Sequence, residues 1–319
     1  MSAIQKNKVK SSHCVTLAVL IVFCILPLFL RDSWVSVVAE MLIWGLAGTA
    51  LNLIFGHCGM VSFGHAGFFA VGAYTFGLLL NYGLVPYSIA FISGVLAATL
   101  FGMIVGWFAI RLISHYFALF ILAASMVIWT IASIWYGVTG GDDGLIGIPV
   151  PDIFLSITNS YYFILMVVAV CLFILYLIRQ SPFGSALYAI RENRRRAGSI
   201  GINVRRYVYI AFVISAAFTG IAGILMVNFL QCVFVGYADF MRSGELLFLC
   251  LLGGMYNFMG PTVGAFVYLF LDKVVTRYTE YWPFVLGSLI IFIALFFRGG
   301  IMGFMEERYR VFKLKRGEL

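Results

Sequence analysis

Nine apolar runs divide this chain, and each is close to the length that crosses a lipid bilayer. A helix needs about 20 apolar residues to span roughly 30 Å of hydrocarbon. Hydrophobic residues make up 63% of the 319 residues and charged ones 11%, a balance far from that of a soluble globular domain. We therefore predict an all-α fold, one polytopic transmembrane bundle over residues 1–319 with about 8–10 membrane segments. The runs lie near residues 15–30, 34–56, 66–82, 86–110, 116–136, 159–178, 208–230, 244–271 and 283–297.

Most of the charged residues lie in the connections between these runs. Basic residues cluster before the first run, in residues 179–207 and in the tail at 298–319, whereas the loop at 137–158 carries three Asp and no Lys or Arg. By the positive-inside rule the three basic segments and both termini are expected in the cytoplasm, and the acidic loop outside. The net charge of +8 forms no folded basic face, so no nucleic-acid partner is expected.

The late run at 244–271 is unsuited to a continuous helix. With both termini on one side the number of full crossings must be even, yet nine runs are present. This run contains "GGMYNFMGPTVG", in which Gly253, Gly254 and Gly260 weaken a helix. We predict a broken or re-entrant segment with both flanks outside. Ten crossings with one short hidden span remain an alternative.

The stretch "GHCGMVSFGHAGFFAVGAYTF" at 56–76 has the same character, with Gly64 as its central glycine. Non-helical backbone at membrane depth occurs where protein or a water-filled cavity supplies hydrogen-bond partners. Since transporters bind substrates at discontinuous helices, two such segments predict a translocation pathway. The candidate pathway residues are Ser62, His65, Tyr74 and Asn257.

His65 has two equally open interpretations, a pathway residue or a packing residue. The pathway interpretation predicts that His65→Ala lowers transport without lowering membrane abundance. Most glycines of the spans are expected to serve helix packing instead.

The basic loop at 179–207 predicts a cytoplasmic helix over about Ser185–Ser199. It is too charged and too short to cross the membrane. We favour a docking surface for a soluble partner, with binding of anionic membrane lipid as the alternative.

The sequence contains none of three common motifs for nucleotide binding or catalysis. The chain lacks G-x-x-x-x-G-K-[ST], H-E-x-x-H and G-x-S-x-G, so no catalytic residue, metal site or cofactor is predicted. A passive channel remains an alternative. An intramembrane metal enzyme using His57 and His65 is the least favoured one, because the two rings would be about 80° apart on a helix.

Four blocks resemble the permease subunits of bacterial branched-chain amino-acid ABC importers (LivH/LivM type), most closely the LivM-like members. They are "GHCGMVSFGHAGFFAVGAYT", "RLISHYFALFILA" with "VTGGDDGLIGIP", "SPFGSALYAIRENRRRAGSIGINVRRY" and "LLGGMYNFMGPTVGA". The resemblance implies an inner-membrane permease that pairs with a second permease subunit. It also implies two ATPases that bind ATP and a periplasmic or surface binding protein. The implied substrates are branched-chain or other small amino acids, with urea or short amides as the alternative.

The resemblance also implies an ATPase-coupling segment from Arg191 to Gly201. Its expected coupling residues are Arg191, Glu192, Arg194, Arg195 and Gly201. The family often carries Glu at the position of Arg194 and a further acidic residue near Gly198. This loop is more basic, so its ATPase is expected to have a more acidic groove.

Overall fold

The computed structural model describes residues 22–112, 114–278 and 299–315, together with residues 281, 284, 285, 287, 288 and 291. These residues form a helical bundle, as predicted. The main helices are α1 (Asp32–Phe55), α2 (His65–Asn81), α3 (Tyr87–Ala109), α4 (Ser114–Ile134), α5 (Ile157–Gln180), α6 (Pro182–Glu192), α7 (Arg194–Ser199), α8 (Val204–Leu230), α9 (Phe240–Gly253), α10 (Gly260–Tyr278) and α11 (Gly300–Lys315).

Five of the described helices are long and apolar enough to cross a membrane, namely α1, α3, α4, α5 and α8. They match the runs predicted at 34–56, 86–110, 116–136, 159–178 and 208–230. Helix α2 covers the run at 66–82 with 17 residues. Part of the run at 15–30 and most of the run at 283–297 lie outside the described residues.

Helix α1 forms the centre of the bundle. Its most apolar window is 89% buried and that of α8 67%, against 33% for α3 and 28% for α4. In water, side chains as apolar as those of α3 and α4 would be buried, so their exposure marks the surface that lipid covers. Helices α1, α2 and α8 therefore form the protein interior in which polar groups can be held.

The late glycine-rich run is two helices that turn back on each other. Helix α9 ends at Gly253 and α10 begins at Gly260, so the predicted break is confirmed. A Cβ on Gly253 would clash with the carbonyl oxygen of Gly260, and one on Gly264 with that of Leu249. These two contacts run in opposite directions along the chain, so α9 and α10 are antiparallel. Their outer ends, at Phe240 and Tyr278, consequently lie on the same side of the bundle.

The early glycine-rich stretch is also interrupted, as predicted. Residues 56–64 form turns and irregular backbone between α1 and α2. At the far end of α2, a short antiparallel ribbon pairs Leu145–Ile146 (β1) with Cys232–Val233 (β2). The ribbon ties the acidic loop to the segment that leads into α9.

The helix predicted over Ser185–Ser199 is wrong in extent. The structure has two helices here, α6 and α7, separated at Asn193. Asn193 is extended (φ −162°, ψ 105°), and its side chain accepts a hydrogen bond from the backbone N–H of Arg196. An Asn in this role starts a new helix. Helix α6 begins earlier than predicted because Ser181 caps it ahead of Pro182.

Candidate translocation and coupling site

His65 is the centre of a buried hydrogen-bond chain. It is fully buried, with Nδ1 2.7 Å from Ser62 Oγ and Nε2 2.7 Å from Ser215 Oγ. Ser215, on α8, donates to the carbonyl oxygen of Ala50 on α1 at 2.6 Å. One chain of polar groups thus joins the interrupted stretch, α2, α8 and α1.

The donor and acceptor roles in this hydrogen-bond chain follow from its last bond, between Ser215 and Ala50. Because the Ser215 hydroxyl proton is directed to Ala50, Ser215 Oγ must accept from His65 Nε2–H. In the neutral imidazole, His65 Nδ1 then accepts from the Ser62 hydroxyl. All polar atoms of the His65 ring are satisfied inside this chain, and Phe68 and Phe212 lie edge-on to the ring. The pathway role of Ser62 and His65 stays a prediction.

The first turn of α2 is capped from another helix. The residue before α2, Gly64, has no side chain to cap it, and the backbone N–H of Ala66 donates instead to Ser243 Oγ on α9 at 3.0 Å. Ser243 is fully buried. A side chain on Gly64 would meet the carbonyl oxygen of Ile121, so the close approach of α4 requires a glycine there.

Tyr74 lies nine residues beyond His65, about 13 Å further along α2. Its ring is buried, and its hydroxyl has no hydrogen-bond partner among the described residues. A buried hydroxyl without a partner costs free energy unless water or a ligand satisfies it. Tyr74 is therefore the candidate pathway residue whose polar atom is free to bind something else.

The two interrupted segments meet at one end of the bundle. Asn52 Nδ2, on the last turns of α1, donates to the carbonyl oxygen of Asn257 at 3.3 Å. A Cβ on Gly56 would clash with the carbonyl oxygen of Met255. Asn257 thus contributes its backbone here, and its side chain is half-buried. No hydrogen bond joins it to His65 or Tyr74 within the described residues.

Arg191 connects the basic loop to both interrupted segments. Its Nη1 donates to the carbonyl oxygen of Gly56 at 2.6 Å, and its guanidinium carbon lies 4.2 Å from the ring centre of Tyr256. A cation over an aromatic face is attracted by the ring quadrupole. The predicted coupling residue Arg191 therefore contacts the end of α1 and the turn between α9 and α10.

A second contact between the basic loop and the same turn runs beside the first. Arg179 Nε donates to Tyr188 Oη at 3.2 Å, and the Arg179 guanidinium lies 5.8 Å from the Phe258 ring. The Tyr188 ring is 5.1 Å from that of His57. Two arginines of the basic loop thus rest on the turn at residues 254–259.

The other predicted coupling residues lie on the surface. Glu192, Arg194, Arg195 and Gly201 are exposed. Gly201 has φ +91° and nothing within 4 Å of a Cβ built on it, so its glycine serves the chain reversal before α8.

The acidic loop is ordered by its own side chains. Tyr136 Oη donates to Asp143 Oδ2, and this bond with the nearby negative charge raises the pKa of Tyr136. Thr139 Oγ1 donates to the carbonyl oxygens of Ala132 and Trp135 at 2.7 and 2.8 Å. The "TGGDDG" sequence is consequently a structured cap over the end of α4.

Four residues of this arrangement were not predicted from the sequence: Asn52, Ser215, Ser243 and Tyr256. Ser215 and Ser243 are single hydroxyls on apolar helices, with no pattern that distinguishes them from other serines. Asn52 carried a usable signal, since an amide near the end of an apolar span tends to face protein.

Comparison with known proteins decides the family. Residues 33–294 match the model of the family described as branched-chain amino acid transport system / permease component. The chain belongs to this family. It is a multi-pass membrane protein, and the predicted resemblance is confirmed.

Individual relatives agree with the family match. The high-affinity branched-chain amino acid transport system permease protein LivM of Escherichia coli is 27% identical over 94% of this chain and 76% of its own length. LivM of Salmonella typhimurium is 26% identical over 95% and 77%. LivH of Escherichia coli is 24% identical over 82% of this chain and 91% of its own length. These two LivM proteins therefore match more of the chain than LivH of Escherichia coli does, as expected. No solved structure matches the chain significantly.

Proposed function

We propose that this chain is the permease subunit of an ABC importer that moves branched-chain or other small amino acids across the bacterial inner membrane. Its family and its LivM and LivH relatives support the transport class and the substrate class. The chain pairs with a second permease subunit, is driven by two ATPases that bind ATP, and receives substrate from a binding protein. Both termini lie in the cytoplasm, as the basic segments favour.

One structural relationship carries the coupling part of this proposal. Arg191 lies on the basic loop and contacts both interrupted segments, through the Gly56 carbonyl and the Tyr256 ring. An ATPase pushing on α6 and α7 would therefore move the end of α1 and the turn between α9 and α10 together. In this scheme Glu192, Arg194, Arg195 and Gly201 meet the ATPase, and Arg191 transmits the movement inward.

The translocation pathway runs beside α2. Tyr74, with its unpartnered buried hydroxyl, is the residue best suited to bind a substrate amide, carboxylate or water. Ser62 and His65 set the position of the first turn of α2, and Asn257 lies at the inner end of the route. Alternating access then requires α2 to move relative to α9 or α8.

Reconstitution of the whole importer tests the proposal. The chain is tagged and co-expressed with the permease, ATPase and binding-protein genes encoded beside it, then purified in mild detergent and inserted into liposomes. We expect a sister permease and two ATPases to co-purify, and radiolabelled leucine to enter only with ATP and the binding protein.

The control complex carries an ATPase whose phosphate-binding lysine is replaced, which removes ATP-driven uptake while keeping assembly. Uptake of urea but not of amino acids would show that the proposed substrate class is wrong. Recovery of the chain alone, with flux that ignores ATP, would identify a passive channel and contradict the proposal.

A further inference from the structure

A basic cavity lies where α3 ends near the start of α8. It has a volume of about 310 Å³ and is lined by four arginines, Arg111, Arg194, Arg195 and Arg205, over an apolar floor that includes Met60 and Val208. None of its nine lining residues is acidic. This cavity is separate from the contacts of Arg191 with Gly56 and Tyr256.

No ion pair among the described residues neutralises the four arginines. The ion pairs of the described residues join Arg242 to Glu245 and Lys273 to Glu40, and neither includes a cavity arginine. Four unpaired guanidinium groups around one cavity repel each other, so the cavity favours an anion. Guanidinium groups bind phosphate oxygens through two parallel hydrogen bonds.

The position of the cavity favours a lipid as the source of that anion. Arg111 follows the end of the predicted membrane span α3, and its guanidinium carbon lies 5.2 Å from the Trp107 ring. Trp107 and Tyr209 pair edge-to-face at 6.4 Å. Trp and Tyr are enriched at the level of the lipid headgroups, so the cavity lies at that level.

An apolar surface leads away from the cavity along α3. Ile104 is 61% exposed, Trp107 55% and Phe108 53%. This surface matches the acyl chains of a phospholipid whose headgroup occupies the cavity. Because lipid covers this surface of α3, a headgroup in the cavity stays continuous with the bilayer.

We propose that the cavity binds the phosphate headgroup of one anionic phospholipid, such as phosphatidylglycerol or cardiolipin. The lipid holds α7 and the start of α8 against the end of α3. Basic cavities between transmembrane helices on the cytoplasmic side bind anionic headgroups in this way. Arg194 and Arg195 are also residues that the proposed function places against the ATPase, so the test below uses the single chain, in which no ATPase competes for them.

Titration of the purified, delipidated full chain tests this site. Binding of phosphatidylglycerol, cardiolipin and the zwitterionic phosphatidylethanolamine is measured by native mass spectrometry. The test variant is R194Q/R205Q, and the matched control is R196Q/R206Q, which removes the same charge from exposed arginines outside the cavity. At about 1 kcal/mol per arginine, we expect the test variant to bind phosphatidylglycerol roughly 30-fold more weakly. The control should stay within about threefold of the wild type.

A third variant guards against misfolding of the loop. R111Q changes a cavity arginine outside the basic loop, just after α3, and should weaken binding roughly fivefold. Equal loss in the test and control variants, or no preference for phosphatidylglycerol over phosphatidylethanolamine, would overturn the proposal. Unchanged lipid binding with loss of ATPase binding in R194Q/R205Q would assign the cavity to a protein partner instead.

Discussion

Arg191 donates a hydrogen bond to the carbonyl oxygen of Gly56 at 2.6 Å while its guanidinium stacks 4.2 Å from the Tyr256 ring. Gly56 and Tyr256 are far apart in the sequence, and Arg191 lies between them. The arginine therefore joins the end of α1, the turn between α9 and α10 and the basic loop in one place.

Replacing Arg191 should uncouple ATP hydrolysis from transport. Hydrogen bonds to charged groups contribute about 1.5–3 kcal/mol, so Arg191→Ala should lower leucine uptake per ATP hydrolysed roughly tenfold or more. Arg196→Ala, an exposed neighbour, serves as the control and should leave the ratio near wild type. The ratio is obtained by measuring leucine uptake and phosphate release in the same liposomes. An unchanged ratio in an assembled Arg191→Ala complex would exclude the coupling role.

Removing the Ser215 hydroxyl from the buried hydrogen-bond chain should destabilise the bundle. Ser215→Ala removes the acceptor of His65 Nε2 and leaves a buried donor unpaired, which costs about 1–3 kcal/mol. The melting temperature in detergent and the abundance in membranes should both fall. Ser36→Ala is the control, because the Ser36 hydroxyl is exposed and bonds only to Asp32 of its own helix.

Comparing His65→Ala with Ser215→Ala distinguishes a pathway role of His65 from a packing role. A packing role predicts that transport falls in proportion to abundance in both variants. A pathway role predicts a further loss of transport per molecule in His65→Ala alone. Immunoblotting of membranes beside uptake assays gives both quantities.

The close approach of α9 and α10 should not tolerate a methyl group. Gly253→Ala places its Cβ against the carbonyl oxygen of Gly260, a backbone atom that cannot rotate away. Overpacking of this kind costs about 1–3 kcal/mol, so the melting temperature should drop. Gly244→Ala on the same helix meets nothing within 4 Å and should leave the melting temperature unchanged or slightly raised. Similar melting curves for both variants would contradict the packing described.

The membrane orientation predicts which loops are accessible from outside. Single cysteines at Asn81, Ser156 and Asp272, in a chain without its own cysteines, should react with an impermeant maleimide in intact cells. A cysteine at Arg196 should react only after permeabilisation. Labelling of Asp272 from the cytoplasm alone would overturn the assignment of both hairpin flanks to the outside.

Helix positions followed from the sequence because length and apolar character decide them. The runs at 34–56 and 86–110 coincide with α1 and α3 within two residues. The break after α9 was also predictable, since Gly254 adopts φ +110°, which other residues rarely adopt.

Pairing between helices could not be predicted in the same way. Whether Ser215 meets His65 or lipid depends on the rotation of α8 about its axis, and an almost uniformly apolar helix gives no periodic signal for that rotation. The split at Asn193 was missed because the apolar positions on both sides of it fit one continuous helix.

The cap that Ser243 supplies to Ala66 makes two helices share one hydroxyl. A side chain at the N-cap position belongs to the residue directly before the helix, so it stays close to the first turn when the helix moves. Helix α2 lacks such a side chain. Sliding α9 by a single turn would separate Ser243 from the backbone N–H of Ala66 and leave that donor without its partner. Any movement of α9 away from α2 therefore requires a new hydrogen-bond acceptor for the backbone N–H of Ala66.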